Sequence, residues 1–204
     1  GEVMKITELV DIFNKEERDA QVESIKGKAA QADHIASRTV KAINLKMQED
    51  PIYYRKLADL IKETIAAYHQ KRIDEAEYLK RTKEYQEEFF NGRSKDAPQE
   101  LADNTVAIAF YNYSCSVFEN VELLKTPFHI EISLTIDSIV KEHIYLNEKK
   151  IIDWHKNEDV TGKINIKLGD AIYDLHQKFD IDTDWDKIDY LIEECIKIAI
   201  KKYK

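Results

Sequence analysis

The chain has 204 residues, 43% of them hydrophobic, with five Gly, three Pro and a formal net charge of −8. That length buries roughly 70% of the surface an unfolded chain exposes, enough for a real core, and so little Gly and Pro excludes a loop-rich or all-β design. The negative total excludes a general nucleic-acid coat, which needs clustered cations. No apolar run approaches the ~20 residues needed to span a bilayer.

In chain order, Ile6, Leu9, Val10 and Phe13 predict a short helix. A helix pattern under way this early is what a piece cut from a longer polypeptide would show, and the charged opening does not read as a signal peptide. Asn14-x-x-Glu17 is a capping box that opens a second helix, ended by Gly27. Ala32, Ile35, Ala36, Thr39, Val40, Ile43 and Met47 recur at spacings of three and four, one side of a third helix. Asp50-Pro51 then supplies a cap and a first-turn proline for a fourth, striped by Leu57, Leu60, Ile61, Thr64, Ile65 and Tyr68. Asp74-x-x-Glu77 starts a fifth, through Tyr78, Leu79 and Tyr85 to Phe90. The loop 91–98, NGRSKDAP, is polar and turn-forming.

Beyond it, Val106, Ala109, Phe110, Tyr113, Val117 and Phe118 predict an apolar helix, and Thr126-Pro127 caps the next. HIEISLTIDSI (129–139) alternates as a strand would. The stripe Ile132, Ile136, Ile139, Val140 and Ile144 outruns strand length and favours helix. KINIKLGDAIYDL (163–175) carries the same ambiguity and is resolved the same way, with Gly162 expected where a pattern breaks. A last helix over about 184–203 has the expected core stripe Trp185, Ile188, Ile192, Cys195, Ala199 and Tyr203. The expectation is an all-α fold, an irregular bundle of about seven to nine helices. Its division is read as an N-terminal segment 1–48, the tail of a preceding helical domain, and an accessory domain 49–204. A boundary near 95, in the polar loop, stays open as the alternative.

The wording of several stretches is more specific than their periodicity. IASRTVKAI, KMQEDPIYY, LIKETIAAY and RIDEAEYL, then NTVAIAFYN, KKIIDW with NEDV, and DWDKIDYLIEEC follow one another along the chain. In this order they resemble the C-terminal region of the R subunit, the motor and nuclease subunit, of type I restriction-modification enzymes. The resemblance covers nearly all of the chain and includes no catalytic motif. It implies a cytoplasmic, non-catalytic helical domain of a site-specific deoxyribonuclease and ATP-dependent translocase. ATP and Mg²⁺ would serve the parent subunit and no cofactor this part. The implied partners are double-stranded DNA, the methyltransferase and specificity subunits, and the rest of the R subunit, without a membrane.

Motif chemistry is otherwise sparse, and neither catalytic nor metal-ligating residues are assigned. Gly162-Lys163 lacks the earlier glycine and the following Ser/Thr of a P-loop. Asp180, Asp182 and Asp184 have calcium-loop spacing, but Trp185 and Leu191 stand where Gly and a bidentate Glu are needed, so Asp182 or Thr183 is expected to cap a helix instead. His34, His69, His129, His143, His155 and His176 form no HExxH and are expected at the surface or half-buried. Glu148-x-Lys150 resembles the tail of a metal-nuclease motif but lacks its sheet, so Lys149 and Lys150 are read as solvated. Cys115 and Cys195 stand singly in apolar patterns, as small buried hydrophobes in a reducing compartment.

Charge is distributed unevenly. From Lys26 to Lys83 there are 13 Lys/Arg against 8 Asp/Glu, a surplus of five cations, while the remainder carries −13. His34, Arg38 and Lys41 share a helix face. With Arg55, Lys56, Lys62, Lys71, Arg72, Lys80, Arg81 and Lys83 they form one strip that tracks phosphates if the helices pack antiparallel. The DNA-contacting set is taken as Arg38, Lys41, Arg55, Lys56, Lys71, Arg72, Lys80 and Arg81. A merely solvated face remains the alternative. Tyr53, Tyr54, Tyr78 and Tyr85 lie among the cations, open to core packing or base stacking. A second functional reading is a protein-docking module without DNA contact, motivated by the apolar run AIAFYNYSCSVF (107–118) as an exposed patch.

Overall fold

The structure, a computed structural model, describes residues 15–203. Across them the three-and-four spacings become eight α-helices and one small antiparallel ribbon. The helices are α1 (Lys15–Ser24), α2 (Lys28–Lys46), α3 (Pro51–His69), α4 (Glu75–Asn91), α5 (Thr105–Val117), α6 (Phe128–Ile144), α7 (Glu158–Lys178) and α8 (Trp185–Lys202). The all-α expectation holds, and both ambiguous alternating stretches are helix. The first expected helix and the Asn14 cap lie outside the described residues.

Local chemistry sets most of the ends. Gly27 takes a left-handed φ of 94° between α1 and α2, where a side chain would strain the backbone. Asp74 Oδ1 accepts from the Glu77 N–H at 2.8 Å and starts α4, and Gly92 (φ 66°) closes it by donating to the Glu88 and Phe89 carbonyls. Asn104 and Asn157 cap α5 and α7 with their side-chain oxygens, two caps the sequence reading passed over. Three expectations are corrected. Gly162 lies inside α7, and α8 is capped by Asp184, which accepts from Lys187 N–H at 3.2 Å, rather than by Asp182 or Thr183. Trp185 is 52% exposed because it stacks on Tyr173 at the start of α8 instead of turning inward.

Two compact units emerge, and their division falls at 95/96 in the polar loop. The first holds the described residues up to Met47 together with Tyr53–Lys95; the second holds Gln48–Ile52 with Asp96–Lys204. A boundary after residue 48 fails for a packing reason: Tyr53, Tyr54, Leu57 and Ile61 share one core with Ala36, Ile43 and Phe89.

In the first unit, α2 runs parallel to α4, since Tyr78 OH donates to Asp33 Oδ1 (2.8 Å) near one end and Lys46 Nζ sits 5.8 Å from the Phe89 ring at the other. Helix α3 runs antiparallel to α4: Tyr68 stacks on Tyr78 at 4.6 Å, and Tyr53 OH donates to the Glu88 carbonyl at 2.8 Å. Helices α2 and α3 are therefore antiparallel, the packing on which the expected cationic strip was conditional.

The second unit is a ring of four helices, α5 beside α6, α6 beside α7, α7 beside α8, and α8 back beside α5, with α7 and α8 approaching each other least. Phe110, Phe128, Ile132, Ile136, Val140, Ile164, Leu168, Ile172, Ile188 and Cys195 fill its centre with no exposed surface. Its closing tie is Asp137, 4% exposed, which accepts from Asn104 Nδ2 (2.7 Å), Lys141 Nζ (2.7 Å) and the Tyr203 hydroxyl. The ribbon pairs β1 (Tyr145–Leu146) with β2 (Lys149–Lys150) across Asn147 and Glu148, both in the left-handed region. It had no counterpart in the sequence reading.

Candidate nucleic-acid interface

All eight candidate cations lie in the first unit. Lys41, Arg55, Lys56, Lys71, Arg72 and Lys80 are exposed, and none has an ion-pair partner among the described residues. The other two are engaged. Arg38 is half-buried, with Nη1 donating to Gln21 Oε1, and Arg81 Nε binds Glu77 Oε1 at 2.7 Å on the same helix. That carboxylate raises the Arg81 guanidinium further above its ordinary value. His34, expected on the face of Arg38, is held below its usual range by burial and by Arg38 itself, so it is not a cation at neutral pH.

The packing directions sort the free cations by position. Lys41 lies toward the Lys46–Phe89 end of the bundle, level with the α3 turn that carries Arg55 and Lys56. Lys71, Arg72 and Lys80 lie at the opposite end, beside the Tyr68–Tyr78 stack. From Arg55 to His69 helix α3 rises about 21 Å at 1.5 Å per residue. Two cationic ends therefore replace the single strip expected. Helix α4 helps to separate them, because Lys80, Arg81 and Lys83 share it with Glu75, Glu77, Glu84, Glu87 and Glu88.

The local backbone accounts for part of this arrangement. Lys71 holds φ 57° where α3 ends, its N–H donating to the Tyr68 carbonyl (2.9 Å) while Arg72 N–H reaches Ala67 (2.8 Å). Cations there face the negative end of the α3 dipole. The interleaved tyrosines turn inward: Tyr53, Tyr54 and Tyr78 are at most 5% exposed and Tyr85 is half-buried, which favours core packing and leaves the first three no face for a base.

Elsewhere the histidine expectation is corrected at two positions. His129 and His176 are fully buried in the second unit, packed edge-on around Phe128. His129 Nδ1 lies 2.7 Å from Ser114 Oγ while its Nε2 has no partner among the described residues. This resembles a nucleophile and base in distance, but both side chains are shut away from solvent. Burial holds His129 down at about 4. Nothing in the sequence marks this pair, since fifteen residues and a turn separate its members. Cys195 is buried as expected, and Cys115 is half-buried beside Tyr111, its thiol pushed up by burial. Among the described residues there is no group of three His, Cys, Asp or Glu able to hold a metal. No helix among them is long and apolar enough to cross a membrane. The run 107–118 is not an exposed patch: Ala107, Ile108, Ala109, Phe110, Tyr113, Ser114 and Phe118 are all buried in cores.

The arrangement is that of an all-α protein: a helical hairpin with cationic ends, backed by further helices, and a ring of four helices. Comparison with family models, with curated proteins and with solved structures finds no match to the chain.

Proposed function

We propose that this chain is a non-catalytic helical domain of a type I restriction enzyme R subunit. It contacts the backbone of double-stranded DNA through its first unit and supports assembly with the methyltransferase core. The observation that carries the DNA contact is the set of six exposed, unpaired cations on a chain of net charge −8. Side chains that neutralise no carboxylate of their own are free to displace counterions from phosphates. Contacts of this kind position a duplex and read no sequence, in keeping with a domain that does not choose the recognition site.

The test is titration of the chain with a nonspecific duplex at several salt concentrations. Three cations at one end predict a log–log slope of about −2.7, and both ends about −5.4. A response flat in salt refutes the DNA contact.

A second reading, a docking module without DNA contact, is favoured by Tyr145, Leu146 and Ile152, which are 42%, 66% and 89% exposed around the ribbon. Under it, capture by the methyltransferase core survives high salt and is lost with Leu146→Asp and Ile152→Asp, while charge reversal at Lys41, Arg55 and Lys56 has no effect.

A further inference from the structure

The open side of the four-helix ring carries a feature that the chain's own packing leaves unexplained. Between α7 and α8 lies an open groove of about 510 Å³, lined by Asn165 and Gly169 on one side and by Asp189, Ile192, Glu193, Ile196 and Lys197 on the other. One turn beyond Gly169 and Asp189, toward the inter-helix turn, Tyr173 stacks on Trp185, 5.7 Å apart and 10° from parallel. These two rings are 40% and 52% exposed, so they form an aromatic wall that faces solvent next to the groove.

Helix α7 bears two glycines, Gly162 and Gly169, seven residues apart and hence on one face, and Gly169 opens into the groove. A Cβ built on either meets nothing within 4 Å. The fold therefore does not require glycine at these places, although glycine weakens a helix interior. Their absence of side chain lets another backbone come close along two turns of α7. Charge selects the occupant. Asp186 and Asp189, one turn apart on α8, have no ion-pair partner among the described residues, whereas Glu193 is already held by Lys197 at 2.7 Å. Lys197 lines the groove but is taken up by Glu193, so the charge left over in the lining is that of Asp189, with Asp186 one turn beyond it, and is negative.

We infer that the α7–α8 groove is a docking site for one amphipathic helix of a partner protein, with an Ala/Leu face laid over Gly162 and Gly169 and with Lys or Arg beside Asp186 and Asp189. Its apolar face covers the half-buried Ile196, and its end meets the Tyr173–Trp185 wall, the helix-in-groove mode of recognition. The inference rests on the second unit alone and is independent of the DNA contact proposed for the first.

The test uses two synthetic 21-residue helical peptides with the same Ala/Leu face, one flanked by Lys and the other by Glu. Trp185 reports binding by fluorescence, since the only other tryptophan, Trp154, is 2% exposed, and Trp185→Phe serves as the blank. The Lys peptide is expected to bind at least tenfold more tightly than the Glu peptide. Gly169→Leu should weaken it at least tenfold with unchanged circular dichroism, and Asp186→Lys with Asp189→Lys should reverse the preference between the peptides. Equal binding of both peptides, no response to the Lys peptide, or indifference to Gly169→Leu overturns the inference. So does self-association in sedimentation that Gly169→Leu abolishes, which would make a second copy the occupant. The salt slope with DNA should not change in any of these variants, so failure here and failure of the DNA contact are read separately.

Discussion

Lowering the pH from 8 to 5 should remove about 2 kcal/mol from the stability of the second unit through His129 alone. The ring is 2% exposed, its Nδ1 meets Ser114 Oγ at 2.7 Å, and its Nε2 has no partner among the described residues. Phe128 and Tyr111 stand edge-on to it, and among the described residues no carboxylate shifts its titration. An imidazolium there would add an unsolvated charge and an N–H without an acceptor. Burial accordingly lowers the group from 6.5 to about 4. A lowered folded value means that the unfolded chain binds more protons between these two limits, so stability rises with pH across that window. It is fully present above about 6.5 and is lost as pH falls toward 4. The whole window corresponds to about 3.4 kcal/mol, of which about 2 kcal/mol is gone at pH 5.

Urea unfolding followed by the buried Trp154 at pH 8, 6 and 5 measures the loss. His129→Gln supplies the reference that cancels the carboxylates titrating in the same range. The variant should be less stable than the parent at pH 8, because its side chain fills the site less well, but flatter between pH 6.5 and 4. Parallel pH profiles for the two proteins refute the reasoning, as does an imidazole titration for His129 near 6.5.

Charge reversal at Lys41, Arg55 and Lys56 should weaken nonspecific duplex binding uniformly across sequences, reduce the salt slope by about 2.7, and leave the melting temperature nearly unchanged; competition and thermal scans check both. Lys71→Gly should remove one phosphate contact while raising stability by about 1 kcal/mol, since glycine holds φ 57° without the steric cost that lysine bears there. Asp137→Ala should cost about 2–4 kcal/mol, because the Asn104 amide, the Lys141 ammonium and the Tyr203 hydroxyl lose a shared, buried acceptor; denaturant midpoints measure it. Gly162→Ala and Gly169→Ala should each raise the stability of α7 by about 1 kcal/mol, as neither new methyl meets an atom within 4 Å.

What could be read from the residues was whatever local chemistry enforces. Asp74, Gly27 and Gly92 announce helix ends because an orphan amide or a left-handed turn has few solutions, and these appear where expected. Ile132, Ile136 and Val140 disclose the inner face of α6 because burial must repeat with the turn of the helix. The misplacements arise where two local solutions compete. Asp182, Thr183 and Asp184 are all competent caps, and the choice among them depends on where the chain leaves the turn that Asp180 opens in the left-handed region. Trp185 fits a core stripe by spacing, yet at the first turn of a helix a tryptophan has a second partner in Tyr173 across the turn.

The candidate site was legible only in its charges. Which cations are free depends on partners distant in sequence, such as Gln21 for Arg38, or on a neighbour one turn away that takes up the charge, such as Glu77 for Arg81. The same logic explains why Gly162 misled. In a sequence, a glycine marks weak helix and invites a break; in α7 the turns around Gly162 and Gly169 are held by the buried Ile164, Leu168 and Ile172. A residue that weakens its own helix without relieving any clash inside the fold points outward. The two glycines thus belong with the unpaired Asp186 and Asp189, and with the unpaired Arg55 and Arg72 of the first unit, as features that the packing of the described residues does not account for.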